Sequence, residues 1–361
     1  MQQTTTTAEA VPQITKETKN KIRVDYEGKL SGWDRFKLQL TSSSFWIDKV
    51  WYLVRFIMMI GISFVILSPF LSKILRSFMA KEDFVDATVS MIPLHWTLDT
   101  YKAIIVDNQY FKAMFNTAWL SLCCALIQTF ICCMIGYGLA KFKFKGNKIV
   151  FLFVIITMAI PHSTLKLSLL QHFVSFDLFA VQSWNMMGPI QLITKLFTGT
   201  AKTLELTGTN WPLILMSLAG IGFKNGLYIF MMISFFRGVP DELEESAYVD
   251  GCGTFRTFVQ IILPTAVPMM ITIFLFAFSW QWTDEFYSNL FYTGLDKTWL
   301  LPDVYSHIPE SLETTYAGQR LFYSAIRNTA GLLIILPLVI IYLFCQRYLV
   351  QGIERSGLGG G

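Results

Sequence analysis

The sequence predicts an all-α integral membrane protein with six transmembrane helices and both termini in the cytoplasm. Three observations carry that prediction. Only 15% of the 361 residues are charged, whereas a soluble globular domain carries about 25%. Mean hydropathy is +0.47, so lipid rather than water is expected over much of the surface. The apolar residues also gather in six runs near the roughly 20 residues that a helix needs to cross hydrocarbon. A transmembrane barrel would alternate polar and apolar positions over about 10 residues, and these runs do not. Helices are expected because lipid offers no partners to an unpaired backbone.

In chain order the predicted spans cover residues 51–71, 114–140, 149–173, 211–236, 265–282 and 325–348. They form a membrane domain over 51–349, between a polar cytoplasmic segment at 1–50 and a cytoplasmic tail at 350–361. Residues 1–20 are rich in Thr, Gln and Lys and are expected to be disordered. Residues 30–51 mix Trp33, Phe36, Leu38 and Leu40 with polar groups, a pattern equally suited to an amphipathic surface segment or to an unstructured lead-in. No cleavable leader is expected, because the first 50 residues are polar.

Lys and Arg set the orientation. Lys16, Lys19, Lys21, Arg23, Lys29, Arg35, Lys37 and Lys49 precede the first span, and Lys141, Lys143, Lys145 and Lys148 crowd the loop after the second. Both clusters belong inside, and an even number of spans returns the chain there. Lys73, Arg76 and Lys81 oppose this orientation but are sparser. The net charge of +4 is too small to suggest a nucleic-acid partner. Cys123, Cys124, Cys132 and Cys133 sit inside an apolar run and are expected to act as small apolar side chains. No metal-ligand spacing accompanies them.

The loop between the fourth and fifth spans, residues 237–264, is the most informative stretch. Gly238 can close the fourth helix, and Pro240 suits the first position of a new one. Asp241, Glu242, Glu244 and Glu245 then crowd the first turns, where negative charge complements a helix N-terminus. Gly251 is a stop. Composition alone favours an ordinary capped cytoplasmic loop. The spacing favours more. Glu245-Ser246-Ala247, three residues, Gly251, nine residues, Ile261, one residue and Leu263-Pro264 form a long fixed register.

That register resembles the E-A-A-x3-G-x9-I-x-L-P signature of the permease subunits of ATP-binding-cassette importers, departing only at Ser246. Within that family the chain is similar to the carbohydrate-importer branch and its maltose-type second permease subunit. The similarity rests on Asn116-Thr117 at the start of a span, GYGLAKFKFKG from Gly136, Pro161, and WQWTDEF from Trp280, where Thr283 replaces a usual Asn. The tail QRYLVQGIERSGLGG from Gln346 is similar as well. The connection at 175–210 is longer than usual. The resemblance implies a bacterial multi-pass protein of the cytoplasmic membrane that imports a sugar or oligosaccharide. It implies a heterodimer with a second homologous permease, two cytoplasmic ATPase subunits and an extracytoplasmic solute-binding protein. It also implies that Glu244, Glu245, Ser246, Ala247, Asp250 and Gly251 dock on an ATPase subunit. No cofactor is expected in this chain, with ATP and Mg bound by the partner ATPase subunits.

Polar residues inside spans are candidates for a substrate path. Asn116, His162, Trp280, Trp282 and Asp284 are the ones chosen, although Asn commonly only joins helices and paired Trp suits an interfacial belt. The outer stretch 296–316, with Trp299, Tyr305, His307 and Tyr316, suits either transient contact with a delivery protein or a loop folded on its own permease. No phosphate-binding G-x-x-x-x-G-K-[ST] loop occurs, and no nucleophile-base set supports a catalytic role. The alternatives are an ion-coupled secondary transporter, disfavoured by the absence of repeated halves, and a non-sugar importer of the same family.

Overall fold

This computed structural model describes residues 14–16, 22–24, 43–177, 188–198, 203–294, 297–313, 315 and 319–355. The chain divides into two units, residues 1–71 and 72–361. In the first, strands β1 (Ile14–Lys16) and β2 (Ile22–Val24) pair antiparallel with Thr15 opposite Arg23. The rest of residues 1–20, expected to be disordered, lies outside the described residues. Residues 43–71 belong to helix α1 (Ser43–Arg76). Its side chains, among them Trp51, Phe56, Phe64 and Phe70, are exposed, as a lipid-facing span requires. The surface segment considered at 30–51 lies outside the described residues up to 42 and is helical from Ser43.

The second unit is assembled around one long helix. After a 3-10 turn at Lys81–Phe84 and helix α2 (Asp99–Val106), helix α3 runs over Tyr110–Lys141. Its buried face is rich in small residues, including Ala113, Ser121, Cys124, Ala125, Cys132, Cys133 and Gly136. Small side chains let neighbouring helices come close where lipid gives no hydrophobic incentive to associate. The six cysteines are all unpaired. Helices α4 (Asn147–Ala159) and α5 (Lys166–Val174) follow, then α6 (Pro189–Thr198), α7 (Trp211–Leu218) and α8 (Asn225–Arg237). The loop helix α9 covers Glu242–Val249, and α10 is the long helix Thr254–Trp282. Short α11 (Phe286–Phe291) and α12 (Leu301–Ser306) precede α13 (Gln319–Arg355). Helix α3 packs against α10, α8 and α7, α10 against α13, and α4 against α8. The expected tail at 350–361 is therefore helical up to Arg355, and its remainder lies outside the described residues.

Among the described residues, four helices are long and apolar enough to cross a membrane: α1, α3, α10 and α13. A fifth counts if α4 and the stretch His162–Val174 form one broken span, bent by 95°. The expected continuous third and fourth spans are both corrected, for separate physical reasons. In the third, Pro161 forces Ile160 into an extended conformation, ψ 121°, and a 3-10 turn at His162–Leu165 re-enters helix. In the fourth, Gly220 takes φ +72° and ends α7, while Ile221 N–H bonds the Met216 carbonyl and Gly220 N–H that of Ser217. This is a Schellman stop. Lys224, at φ +64°, then starts α8 in the left-handed region that a non-glycine seldom adopts.

Two glycines seat α8. A Cβ on Gly136 of α3 would lie 2.4 Å from Met232 Cβ, and one on Gly226 would lie 2.5 Å from Thr157 Oγ1 of α4. The helix is thus held between α3 and α4 at near-contact distance. Gly136→Val should lower the melting temperature of the detergent-solubilised protein, with an overpacking cost of about 1–3 kcal/mol. Gly138→Ala, where an added Cβ meets nothing within 4 Å, should leave it unchanged. Equal melting temperatures for both variants, read by intrinsic fluorescence, would contradict this packing.

Candidate coupling loop and translocation cavity

The loop between α8 and α10 is built on hydrogen bonds that cross between elements. Helix α8 ends at Gly238, whose N–H bonds the Phe235 carbonyl. Lys141, at the end of α3, has a side chain only 7% exposed. Its Nζ donates to the Val239 carbonyl at 2.6 Å and to Asp241 Oδ1 at 2.5 Å. The Asp241 carboxyl is held below the usual carboxylate range, first by that hydrogen bond and then by the charge of Lys141. Asp241 is itself the N-cap of α9, so the expected first helical position of Pro240 moves to Glu242. The same α3 terminus is closed by Asn147, whose side-chain amide donates to the Leu139 and Phe142 carbonyls.

Helix α9 ends as the sequence expects. Gly251 takes φ +82°, its N–H bonds the Tyr248 carbonyl, and Cys252 N–H bonds that of Ala247. The two faces of α9 differ. Glu244 and Ala247 are buried against the protein's own interior, at 8% and 3% exposure. Glu245, Ser246, Tyr248, Val249, Asp250 and Gly251 face outward. Burial pushes the Glu244 carboxyl up from its ordinary value, a shift that nearby Lys141 opposes. Its Oε1 has no hydrogen-bonding partner. Below α9, the Tyr137 ring of α3 meets Phe236 of α8 edge-on at 5.4 Å and Phe258 of α10 at 4.7 Å. Three membrane helices converge on that ring. Helix α10 passes, after an α turn at Thr254–Thr257, through a π turn at Phe258–Ile262, where Leu263 N–H reaches back five residues to the Phe258 carbonyl.

The two broken spans face one cavity of about 400 Å³, whose walls include Pro161, His162, Gly222, Lys224, Asn225 and Tyr287. His162 Nδ1 and the Tyr287 hydroxyl are hydrogen-bonded at 2.7 Å. Phe223 stands at the centre of an aromatic group, 5.0 Å from His162, 5.6 Å from Trp280 and 5.8 Å from Tyr287. Lys224 Nζ lies over two of these rings, 5.1 Å from Phe223 and 5.2 Å from Trp280. Irregular backbone at membrane depth is tolerated where it lines a cavity, and discontinuous helices commonly frame transport sites.

Of the residues expected from sequence to form a substrate path, His162 lines this cavity, and Trp280 packs against Phe223 and Lys224 outside its wall. The others lie elsewhere. Trp282 is buried and donates its ring N–H to the Ile334 carbonyl of α13. Asp284 accepts the Tyr287 and Ser288 N–H groups and so caps α11. Asn116 donates to the Trp299 carbonyl, fastening the outer stretch to α3. In that stretch Trp299 donates to the Asn108 carbonyl and packs on His307, leaving Tyr305 exposed. Phe223, Lys224 and Tyr287 were not chosen. A lysine inside a predicted span was the available sign for Lys224.

The family described as binding-protein-dependent transport system inner membrane component matches residues 133–355. The chain is 26% identical over 303 residues to the probable starch degradation products transport system permease protein AmyC of Thermoanaerobacterium thermosulfurigenes, covering 84% of this chain and 94% of that one. It is 26% identical over 304 residues to the maltodextrin transport system permease protein MalD of Streptococcus pneumoniae, with the same coverage. Its fold is similar to a chain of a bacterial ABC transporter involved in the import of the acidic polysaccharide alginate. There the TM-score is 0.59 at 17% identity, covering 85% of this chain and 98% of that chain.

The buried Lys141 contacts fix the start of α9, so Lys141→Met should free it. Amide hydrogen exchange over residues 240–249 should rise about tenfold, the effect of losing one charge-assisted hydrogen bond. Lys145→Met, on an exposed position of the same loop, should leave it unchanged. Unaltered exchange in Lys141→Met would show that α9 is held by other contacts.

Proposed function

The chain belongs to the family of binding-protein-dependent transport system inner membrane components, and from that premise we propose that it carries a sugar or oligosaccharide through a pore shared with a second permease. It is a multi-pass, non-catalytic permease subunit of an ATP-driven importer in the cytoplasmic membrane. The sugar cargo is supported by the names of its relatives and by the cavity between the broken spans with the aromatic group beside it. Aromatic rings offer the apolar faces that sugar C–H groups favour, and His162, Tyr287 and Asn225 offer hydrogen-bonding groups.

The observation that carries the coupling role is the divided face of α9. Its inner residues, Glu244 and Ala247, anchor it to the membrane helices. Its outer residues, Glu245, Ser246, Tyr248, Val249, Asp250 and Gly251, remain for an ATPase subunit. Val249 is 88% exposed, and an apolar side chain so displayed on a charged loop suits a partner's pocket. In this reading each ATPase subunit binds ATP and Mg, and a solute-binding protein delivers cargo outside. The six-span arrangement with both termini inside combines the four long helices, the bent pair around Pro161, and the pair α7 and α8. The domain limits 1–50, 51–349 and 350–361 follow from it.

Two experiments test this reading. A reporter inserted after Lys145 should read cytoplasmic, and one inserted between Thr203 and Gly208 external; the reverse pair would overturn the topology. For coupling, Gly251→Leu and Glu245→Lys should insert normally yet lose uptake and release the ATPase subunits during purification in mild detergent. A left-handed backbone costs a side chain about 1–2 kcal/mol, and an added Cβ at Gly251 otherwise meets open space. Glu313→Lys, in the outer stretch, is the control and should retain them. Full ATPase retention and uptake in both loop variants would reduce α9 to a connector.

A further inference from the structure

We propose that the cavity between the two span breaks is a subsite for a saccharide bearing a carboxylate, with Lys224 as the residue that recognises its charge. The proposal rests on the importer reading above and narrows its cargo to an acidic sugar. Lys224 is the lysine of the cavity wall, and among the described residues no carboxylate pairs with it. Its ammonium is supported only by the faces of Phe223 and Trp280. A cation held against aromatic rings keeps its donors free for a ligand. Asp284, the nearby buried acid, is already engaged by the Tyr287 and Ser288 backbone.

The surroundings suit the rest of such a ligand. Asn225, also in the cavity wall, is 1% exposed, and neither end of its carboxamide has a hydrogen-bonding partner. The His162–Tyr287 pair offers a further polar edge. Trp280, whose ring the Lys224 ammonium partly covers, is 46% exposed. One formal positive charge matches the single charge of a carboxylate rather than the nearly double charge of a phosphate ester. The left-handed backbone at Lys224 adds a separate sign of function. A non-glycine held there is an outlier that the surrounding fold must impose, and such outliers gather at ligand sites.

The test is uptake by the complete importer, with both permeases, the ATPase subunits and the binding protein, across matched neutral and uronate-containing oligosaccharides. The native complex should import a uronate member. Lys224→Gln should cut that uptake at least about tenfold, as expected for one lost charge-assisted hydrogen bond, and Lys224→Arg should restore much of it. Import of neutral sugars only, or undiminished uronate uptake by Lys224→Gln, would overturn the proposal while leaving the importer reading standing. Loss of neutral and acidic uptake together, with loss of the second permease on purification, would mean that Lys224 pairs with a carboxylate of that permease. No saccharide uptake by the native complex would remove the sugar reading and this proposal with it.

Discussion

The close seating of α8 between α3 and α4 is the constraint on which the functional architecture depends. Gly136 on one side and Gly226 on the other leave no room for even a methyl group. Dense packing of this kind transmits displacement rather than absorbing it. The helix has 13 residues, about 20 Å at 1.5 Å per residue. Lys224 and the cavity lie at its N-terminal end, and Arg237 and the loop carrying α9 at the other. The cavity and the α9 loop therefore lie at the two ends of one short rod. Movement of α3 or α4 relative to each other cannot leave either end in place.

Much of this was legible in the sequence, and the illegible parts share a cause. Long apolar runs announced α1, α3, α10 and α13, because length and composition alone decide whether a helix can span. The same measure joined α4 to α5 and α7 to α8, because a hydropathy run does not register a stop. Pro161 was visible and Gly220 was not distinctive, yet both broke their helices. The scatter of the candidate path residues has a related reason. Trp282, Asp284 and Asn116 carry suitable chemistry, but each is used by a backbone group that only folding brings near. Trp282 meets Ile334, Asn116 meets Trp299, and Asp284 meets the start of α11. Lys224 escaped notice because it stood inside a run treated as continuous.

The α9 loop was more legible because its information is local. Caps, a left-handed glycine and acidic first turns act within a few residues of one another, so spacing alone places α9 and its end. What spacing could not say is which side of α9 faces home. Glu244 turned inward, where burial raises its pKa, while its neighbour Glu245 stayed outside. The long-range contact that decides this is Lys141, about 100 residues earlier in the chain. It holds Val239 and Asp241 and so sets the helix's rotation about its own axis.

The π turn near the start of α10 gives the loop's fixed spacing a geometric meaning. A π turn holds one residue more than the α turn it replaces. That extra residue lies within the interval separating Gly251 from Leu263-Pro264. Each residue advances an α-helix by about 100°, so the turn sets a phase difference between the loop and the membrane-buried face of α10. A chain one residue shorter here could close an ordinary α turn without losing a hydrogen bond. It would then present a different azimuth to α3 and α13, with the same composition and hydropathy. The count of residues in this interval therefore acts as an angular setting, indifferent to much of what fills it and intolerant of a change in its length.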